Sequence, residues 1–323
     1  MKKLKIALFA LFTFLGMAAS SYACDWCLIS QGLSPLETVR GGGVRLNERF
    51  TVLNSIYSGT QELANPGAKE EYWTTDITGF YGITENTTLL VNVPLKKTKQ
   101  RGEITAPQNG TVEFDPATTG GEEGLGDVSV LARYTFYRSE SLDASSAAAF
   151  VLGIKLPTGK TDGKTDDGSA TLDSHLQLGT GSTDYLIGLS ASRSMQRVTL
   201  STNLLGAITG KGKFGDTSHQ FGNVLNYDLT AKYRIHPSSF APAGPQVFLA
   251  LGLNGELRDR ETENGEKVRD SGGHTVYLSP GLQIVASRSW IFEINYQQAV
   301  YHNLYGTQVG EDYKANAAVT YLF

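Results

Sequence analysis

The sequence predicts an all-β protein: a transmembrane antiparallel β-barrel of about 12 strands, with short periplasmic turns and long extracellular loops. Three observations carry that prediction. Twelve segments between Val44 and Phe323 alternate apolar and polar residues, the period of a half-buried strand. The links between them alternate short and long. After the first 23 residues nothing approaches the roughly 18 consecutive apolar residues of a spanning helix. A mean hydropathy of −0.19 suits a barrel, because half of each strand faces water.

The first segment is 44–57, with Phe50, Val52 and Ile56 on one face. Glu48 falls in phase with them, which predicts a register slip or bulge there. Next come 72–83 (Trp73, Ile77, Tyr81, Ile83) and 88–97 (Leu89, Val91, Val93, Leu95). Segments 127–138, 147–156, 183–192 and 197–209 follow, each with four or five apolar residues in phase. Segment 223–235 is the cleanest: Leu225, Tyr227, Leu229, Ala231, Tyr233 and Ile235 share one face, and Asn226, Asp228, Thr230, Lys232 and Arg234 the other. Segment 246–258 precedes 274–285, which Pro280 weakens because proline has no N–H for the ladder. Segments 290–302 and 312–323 complete the set.

Short links fall at Glu85-Asn86, 139–146, 193–196, 236–245 and 286–289; long, Gly/Asp/Glu-rich ones fall at 58–71, 98–126, 157–182, 210–222, 259–273 and 303–311. Outer-membrane barrels keep that alternation. In hydrocarbon only a closed barrel pairs every backbone amide of a strand. The predicted location is the bacterial outer membrane.

Lys2, Lys3 and Lys5, an apolar run from Ile6 to about Ala19, and Ser21-Tyr22-Ala23 read as a signal peptide, residues 1–23. Residues 24–42 form a periplasmic or lumenal N-terminal segment, and 43–323 the barrel. Leu28, Ile29, Leu33 and Leu36 need shelter, and Gly41-Gly42-Gly43 allows the segment to fold back as a plug. The formal charge is −4, and loss of the three leader lysines leaves −7. That balance excludes nucleic acid as a partner.

The strand register points Arg45, Arg49, Lys96, Arg133, Lys155, Lys232, Arg234, Arg258 and Lys314 into the lumen, with Asp76, Asp184, Asp228, Glu256, Glu293 and Asp312. In so narrow a barrel such charges pair across the lumen, and for most of them the first reading is a polar, structurally satisfied interior; the alternative is a filter that selects by charge and size. In Cys24-Asp25-Trp26-Cys27 the absence of a following His excludes covalent haem, and the absence of a βαβ setting excludes a thioredoxin-like site. A Cys24–Cys27 disulfide is the first reading in the oxidising periplasm. Metal or redox use comes second and lipidation of Cys24 third; Ser21 stands where lipoprotein signals usually carry Leu. His175, His219, His274 and His302 fall at the outer side and are weak metal candidates alongside the cysteines. Asp162, Asp166, Asp167 and Asp173 are a weak calcium candidate, more simply a solvated loop. No motif calls for a cofactor.

Gly124-Leu125-Gly126-Asp127, Leu156-Pro157-Thr158-Gly159 and Gly179-Thr180-Gly181-Ser182-Thr183-Asp184, in that order and spacing, resemble the outer-membrane transporters grouped with the meta-pathway of phenol degradation. The resemblance runs from about residue 72 onward. It implies a channel for passive passage of small, aromatic or hydrophobic solutes, and it supplies no catalytic residue. The final alternating strand, ending in Phe323, resembles the signal that the barrel-assembly machinery recognises. Membrane lipid and lipopolysaccharide are the remaining partners expected. Two other classes compete. One is a metal- or redox-linked protein using the cysteine pair. The other is a lipid hydrolase or adhesive barrel. His219-Gln220-Phe221-Gly222-Asn223 looks loosely like the His-Gln-Ser-Asn-Gly run of outer-membrane phospholipases, with Phe221 in the nucleophile's place. That replacement argues against catalysis.

Overall fold

The computed structural model describes residues 41–105, 112–141, 143–238 and 244–323. The signal peptide, residues 24–40 and the cysteine pair lie outside them. In chain order the strands are β1 (Gly42–Gly59), β2 (Gln61–Leu63), β3 (Lys69–Gly82), β4 (Thr87–Thr105), β5 (Glu113–Gly120), β6 (Glu123–Leu125), β7 (Ser129–Glu140), β8 (Ala144–Lys155) and β9 (Asp184–Met195). They continue with β10 (Val198–Ile208), β11 (Gly212–Phe214), β12 (Thr217–Gln220), β13 (Val224–His236), β14 (Gln246–Arg258), β15 (Thr262–Glu263), β16 (Glu266–Lys267), β17 (Gly273–Val285) and β18 (Trp290–Leu322).

The wall is one antiparallel sheet in the order β1, β3, β4, β7, β8, β9, β10, β13, β14, β17, β18, closed by β18 against β1. That makes eleven wall elements, but β18 is 33 residues long and doubles back. Its first limb pairs with β17, from Ile291↔Val285 to Leu304↔Gly273. Its second pairs with β1, from Leu322↔Gly43 upward. The reversal falls at Gly306, φ +71°, and a Cβ there would strike the Asp270 carboxylate. The wall is therefore crossed twelve times. The expected loop at 303–311 is strand instead, because one tight turn suffices where Asp270 receives the Thr307 N–H. A second sheet, β11-β12-β15-β16, caps the outer side.

The wall is inverted relative to a soluble core. Leu229, Ile187, Leu251 and Val300 point outward and are exposed. Asn47, Arg49, Asp76, Asn92, Arg133, Asp228 and Lys314 point inward and are buried. An apolar exterior on a sheet without an open edge is what hydrocarbon requires of strands. Pairing runs unbroken through Glu48, which sits opposite Ala317 and Thr75. The expected slip there does not occur: Glu48 stays exposed and accepts a hydrogen bond from the Thr75 hydroxyl. The shifts come later, between Val52 and Leu53, Leu53 and Ser55, and Ser58 and Gly59. Leu53 keeps the inward alternation of Asn47, Arg49 and Thr51, whereas the second shift, which skips Asn54, turns Ile56 inward; both are fully buried, so Ile56 does not share the outward face of Phe50. Asp312 is the residue skipped at the first shift; it is half-buried and accepts a hydrogen bond from Ser55. Pro280 keeps its place opposite Leu251 but has no partner in β18, where pairing skips from Leu278 to Gly281.

Candidate functional site: the lumen and its outer mouth

The inner wall has two characters. One part is polar and paired. Arg45 binds Glu293, which also accepts from Gln283, and Lys232 reaches Gln283 at 3.4 Å. Lys314, fully buried, lies 2.6 Å from Glu311 and 4.5 Å from the Tyr277 ring centre; the Tyr277 hydroxyl also donates to Glu311. Arg258 pairs with Glu256, and Asn203 donates to both oxygens of Asp228. Buried charge is tolerable only with such partners. Arg49, Asp76, Arg133 and Arg234 are also buried in the lumen, and Lys96 is half-buried at its upper end.

The other part is apolar. Phe80, Leu90, Leu131, Leu186, Ala207 and Val224 form one buried cluster, with Val151 against it. They come from β3, β4, β7, β8, β9, β10 and β13, which are consecutive wall strands. The result is an apolar stripe across one side of the lumen.

The outer mouth is occupied by residues 156–183, between β8 and β9. Leu172 and Leu176 from this loop pack with Leu53, Ile56, Tyr72, Ile104 and Val309 of the wall and with Ala68, just before β3. The Gln177 amide ties the loop to itself through the carbonyls of Gly163 and Leu172 and the Gly163 N–H. Thr98 donates to the Leu176 carbonyl, which ties the loop to the wall.

The three glycine-rich motifs meet at the loop's base. Asp127 accepts from the Gly159 N–H at 3.0 Å and from the N–H and hydroxyl of Thr180 at 2.8 Å each. Thr158 donates to the Gly126 carbonyl and accepts from the Val128 N–H. Lys155 lies 2.6 Å from Asp184 and 3.3 Å from Asp127, all three buried. Asp184 also accepts from Ser182 and the Gly210 N–H. Gly159 and Gly179 touch so closely that a Cβ on either would meet the other's backbone within 2.6 Å. The motifs are therefore a clasp: they fix both ends of the loop to the rim through one carboxylate pair and one lysine.

A second tie holds the loop from above. Nε2 of His175, in the loop, and Nε2 of His219, in β12, each lie 3.2 Å from Oε2 of Glu261. Phe221 stands edge-on to both imidazoles. Burial alone would raise the Glu261 pKa, but the two histidines hold it at about 2. Burial likewise works against a charged His219, yet Glu261, with Asp173 and Glu263 further off, raises its pKa above the ordinary value. Beneath the loop lies a polar cavity of about 50 Å³, lined in part by Lys155, His175, Thr180, Asp184 and Arg258. That is room for water-sized molecules only; a benzene-sized guest needs roughly 150 Å³.

The other histidines stand apart. His274 hydrogen-bonds the Tyr227 hydroxyl. His302 reaches the Glu311 carbonyl and stacks on Tyr57. In the Asp-rich loop, Asp166 accepts from Thr119, Asp167 from Thr165 and Ser169, and Asp173 from the His175 N–H. Among the described residues no group of three or more His, Cys, Asp or Glu is placed to hold a metal ion. Cys24 and Cys27 lie outside those residues. Glu261, Leu172 and Leu176 carry no sequence signal of their own; the nearest hint is the set of four leucine-type positions inside an otherwise Gly/Asp-rich stretch.

Residues 67–310 match the family model described as "Putative MetA-pathway of phenol degradation". The chain is similar to the crystal structure of an outer membrane channel from Pseudomonas putida F1. Identity is 13%, 93% of this chain and 100% of that one are covered, and the TM-score is 0.64. The β domain of the Bordetella autotransporter BrkA aligns more loosely: 13% identity, 88% and 100% coverage, TM-score 0.42. No curated protein sequence matches the chain. The shared feature is the fold, an outer-membrane β-barrel.

Proposed function

We propose, on the premise that this chain belongs to the family of the phenol-degradation MetA pathway, that it is a passive outer-membrane channel for small aromatic or hydrophobic solutes. The observation that carries the reading is the apolar stripe Phe80–Leu90–Leu131–Leu186–Ala207–Val224 inside a lumen otherwise lined by paired charges. A channel for ions or sugars gains nothing from buried leucines on its inner wall. A solute with an aromatic face and one hydroxyl is suited by both surfaces. The leucines of the mouth loop are packed against the wall, and with only about 50 Å³ open beneath the loop this reading requires the loop to move during passage.

The reading includes no catalytic step, because Phe221 stands where a hydrolase would carry its nucleophile. It includes a signal peptide at 1–23, a Cys24–Cys27 disulfide, and the segment from Cys24 to the start of β1 at Gly42 entering the lumen from the periplasmic side. Contact with the barrel-assembly machinery through the strand ending at Phe323 belongs to it as well. The test is uptake of a labelled small phenol by cells stripped of their other general channels. The chain should accelerate uptake several-fold over an empty vector. Equal uptake in both strains overturns the proposal.

A further inference from the structure

The run Gln220-Phe221-Gly222-Asn223 lacks a nucleophile, but all four of its residues line a pocket on the outer side. Asp259 and Arg260, just past β14, join them, with Lys267 of β16 and Tyr305 beside the Gly306 turn. A Cβ on Gly222 would strike the Asp259 carbonyl, so glycine is what lets these two segments close up. The pocket is open and has a volume of about 430 Å³. A benzene-sized guest needs roughly 150 Å³, so an aromatic solute fits. Phe221 and Gly222 also line the 50 Å³ cavity beneath the mouth loop, so the two spaces meet at these residues.

The lining has three kinds of surface. The Arg260 guanidinium lies 5.2 Å from the Tyr305 ring centre, and neither Arg260 nor Lys267 has an ion-pair partner among the described residues. A guanidinium laid on a ring keeps its N–H edge free for a carboxylate. Asp259 is exposed, and its side chain accepts only a long contact, 3.4 Å, from the Asn223 amide among the described residues. The remaining carboxylates nearby are turned away or occupied. Glu263 and Glu266 face each other across the β15–β16 hairpin, on the side opposite Thr262 and Lys267. Asp270 is held by Arg269 and the Thr307 N–H, and Glu261 by the two histidines. Tyr305, exposed, and Phe221, half-buried, supply aromatic surface.

We propose that this pocket is a capture site for a hydroxylated aromatic carboxylate, of which a hydroxybenzoate is the simplest case. Arg260 and Lys267 receive the carboxylate, Tyr305 and Phe221 flank the ring, and Asp259 accepts the hydroxyl proton. A neutral phenol leaves both cations unused. An aliphatic acid leaves the rings unused. The binding rests on the pocket alone; that the bound acid then passes Phe221 into the lumen rests on the channel reading.

The test titrates the folded, full barrel in detergent with para-hydroxybenzoate, benzoate, phenol and cyclohexanecarboxylate. Para-hydroxybenzoate should bind roughly ten-fold more tightly than phenol, since a charge-assisted contact is the stronger kind. It should also exceed benzoate, and benzoate should exceed cyclohexanecarboxylate. Arg260→Gln with Lys267→Gln should bring para-hydroxybenzoate down to the level of phenol. Asp259→Ala should erase its advantage over benzoate while strengthening benzoate itself, because a like charge is removed. Arg288→Gln, an exposed cation in the periplasmic turn before β18, should change nothing. Heat-shifted gel mobility confirms that each variant is folded. Equal affinity for para-hydroxybenzoate and phenol, or an unchanged preference in the glutamine pair, overturns the proposal. So does cyclohexanecarboxylate binding as well as benzoate, which would leave a site for any organic anion. Binding as expected without accelerated uptake upholds the capture site and counts against the channel reading instead.

Discussion

The imidazole of His175 and the carboxylate of Glu261 stand 3.2 Å apart across 86 residues of chain, and they join the loop in the mouth to the outer cap. His219 reaches the same oxygen at the same distance. This arrangement gives the mouth a pH dependence whose sign can be worked out. The reference is the open loop, in which each group has its ordinary pKa. Glu261 is depressed to about 2, from an ordinary value of about 4.5. Its contribution to closure is complete above about pH 4.5 and is lost as pH falls toward 2. His219 is raised above 6.5. Its contribution is complete below pH 6.5 and is lost as pH rises through the elevated value. Asp173 and Glu263, the other charges facing His219, act in the same direction as Glu261. The two windows overlap between about pH 4.5 and 6.5. Single-channel conductance should therefore be lowest there and rise in alkali. His219→Gln should flatten the alkaline rise, and a conductance that falls as pH rises above 6.5 would contradict the arrangement.

The clasp predicts a second route to an open mouth. Asp127→Ala leaves the Gly159 and Thr180 N–H groups without their acceptor, at a cost of about 1–3 kcal/mol for each buried group left unpaired. Lys155 keeps Asp184, so the wall itself should still close. The expected result is a barrel with unchanged heat-shifted gel mobility and higher conductance. A conductance equal to wild type would mean that the loop is held by its leucines alone.

The inside–outside assignment is tested in β13. Leu229 is 58% exposed on the lipid side, while Asp228 is buried and held by Asn203. An arginine at the lipid-facing midplane costs about 2–4 kcal/mol. Leu229→Arg should lower the urea midpoint of the barrel clearly more than Asp228→Asn, which keeps its volume and most of its hydrogen bonding. Equal losses would reverse the register.

Strand β13 was legible in the sequence because nothing interrupts its alternation until the shift between Arg234 and His236. Strand β1 was legible only up to Val52. Beyond it three register shifts change which face each residue occupies, and a bulge leaves no mark in an apolar–polar pattern. Ile56 therefore reads as outward wall when it lines the mouth. The turn at Gly306 was hidden for a related reason: the residues around it are polar enough to look like a loop, although both limbs remain paired. The glycine motifs were visible as motifs, but their role needed coordinates, since Asp127 meets its partners 32 and 53 residues away. The same holds for Glu261. Two histidines on separate outer segments give no hint of a shared carboxylate.

The apolar stripe makes the sharpest claim about solute. Leu131 and Leu186 lie on β7 and β9, 1% and 2% exposed, in the middle of that surface. Changing both to asparagine keeps the branched shape and the number of side-chain heavy atoms and adds hydrogen-bonding groups to the stripe. Passage of a hydrophilic solute, read as conductance in potassium chloride, should stay within about two-fold of wild type. Uptake of a labelled phenol should fall several-fold, because the solute loses the apolar side of its path while the charged side is untouched. A matched fall in both readouts would show a general obstruction of the lumen, and an unchanged phenol rate would show that the stripe takes no part in selection.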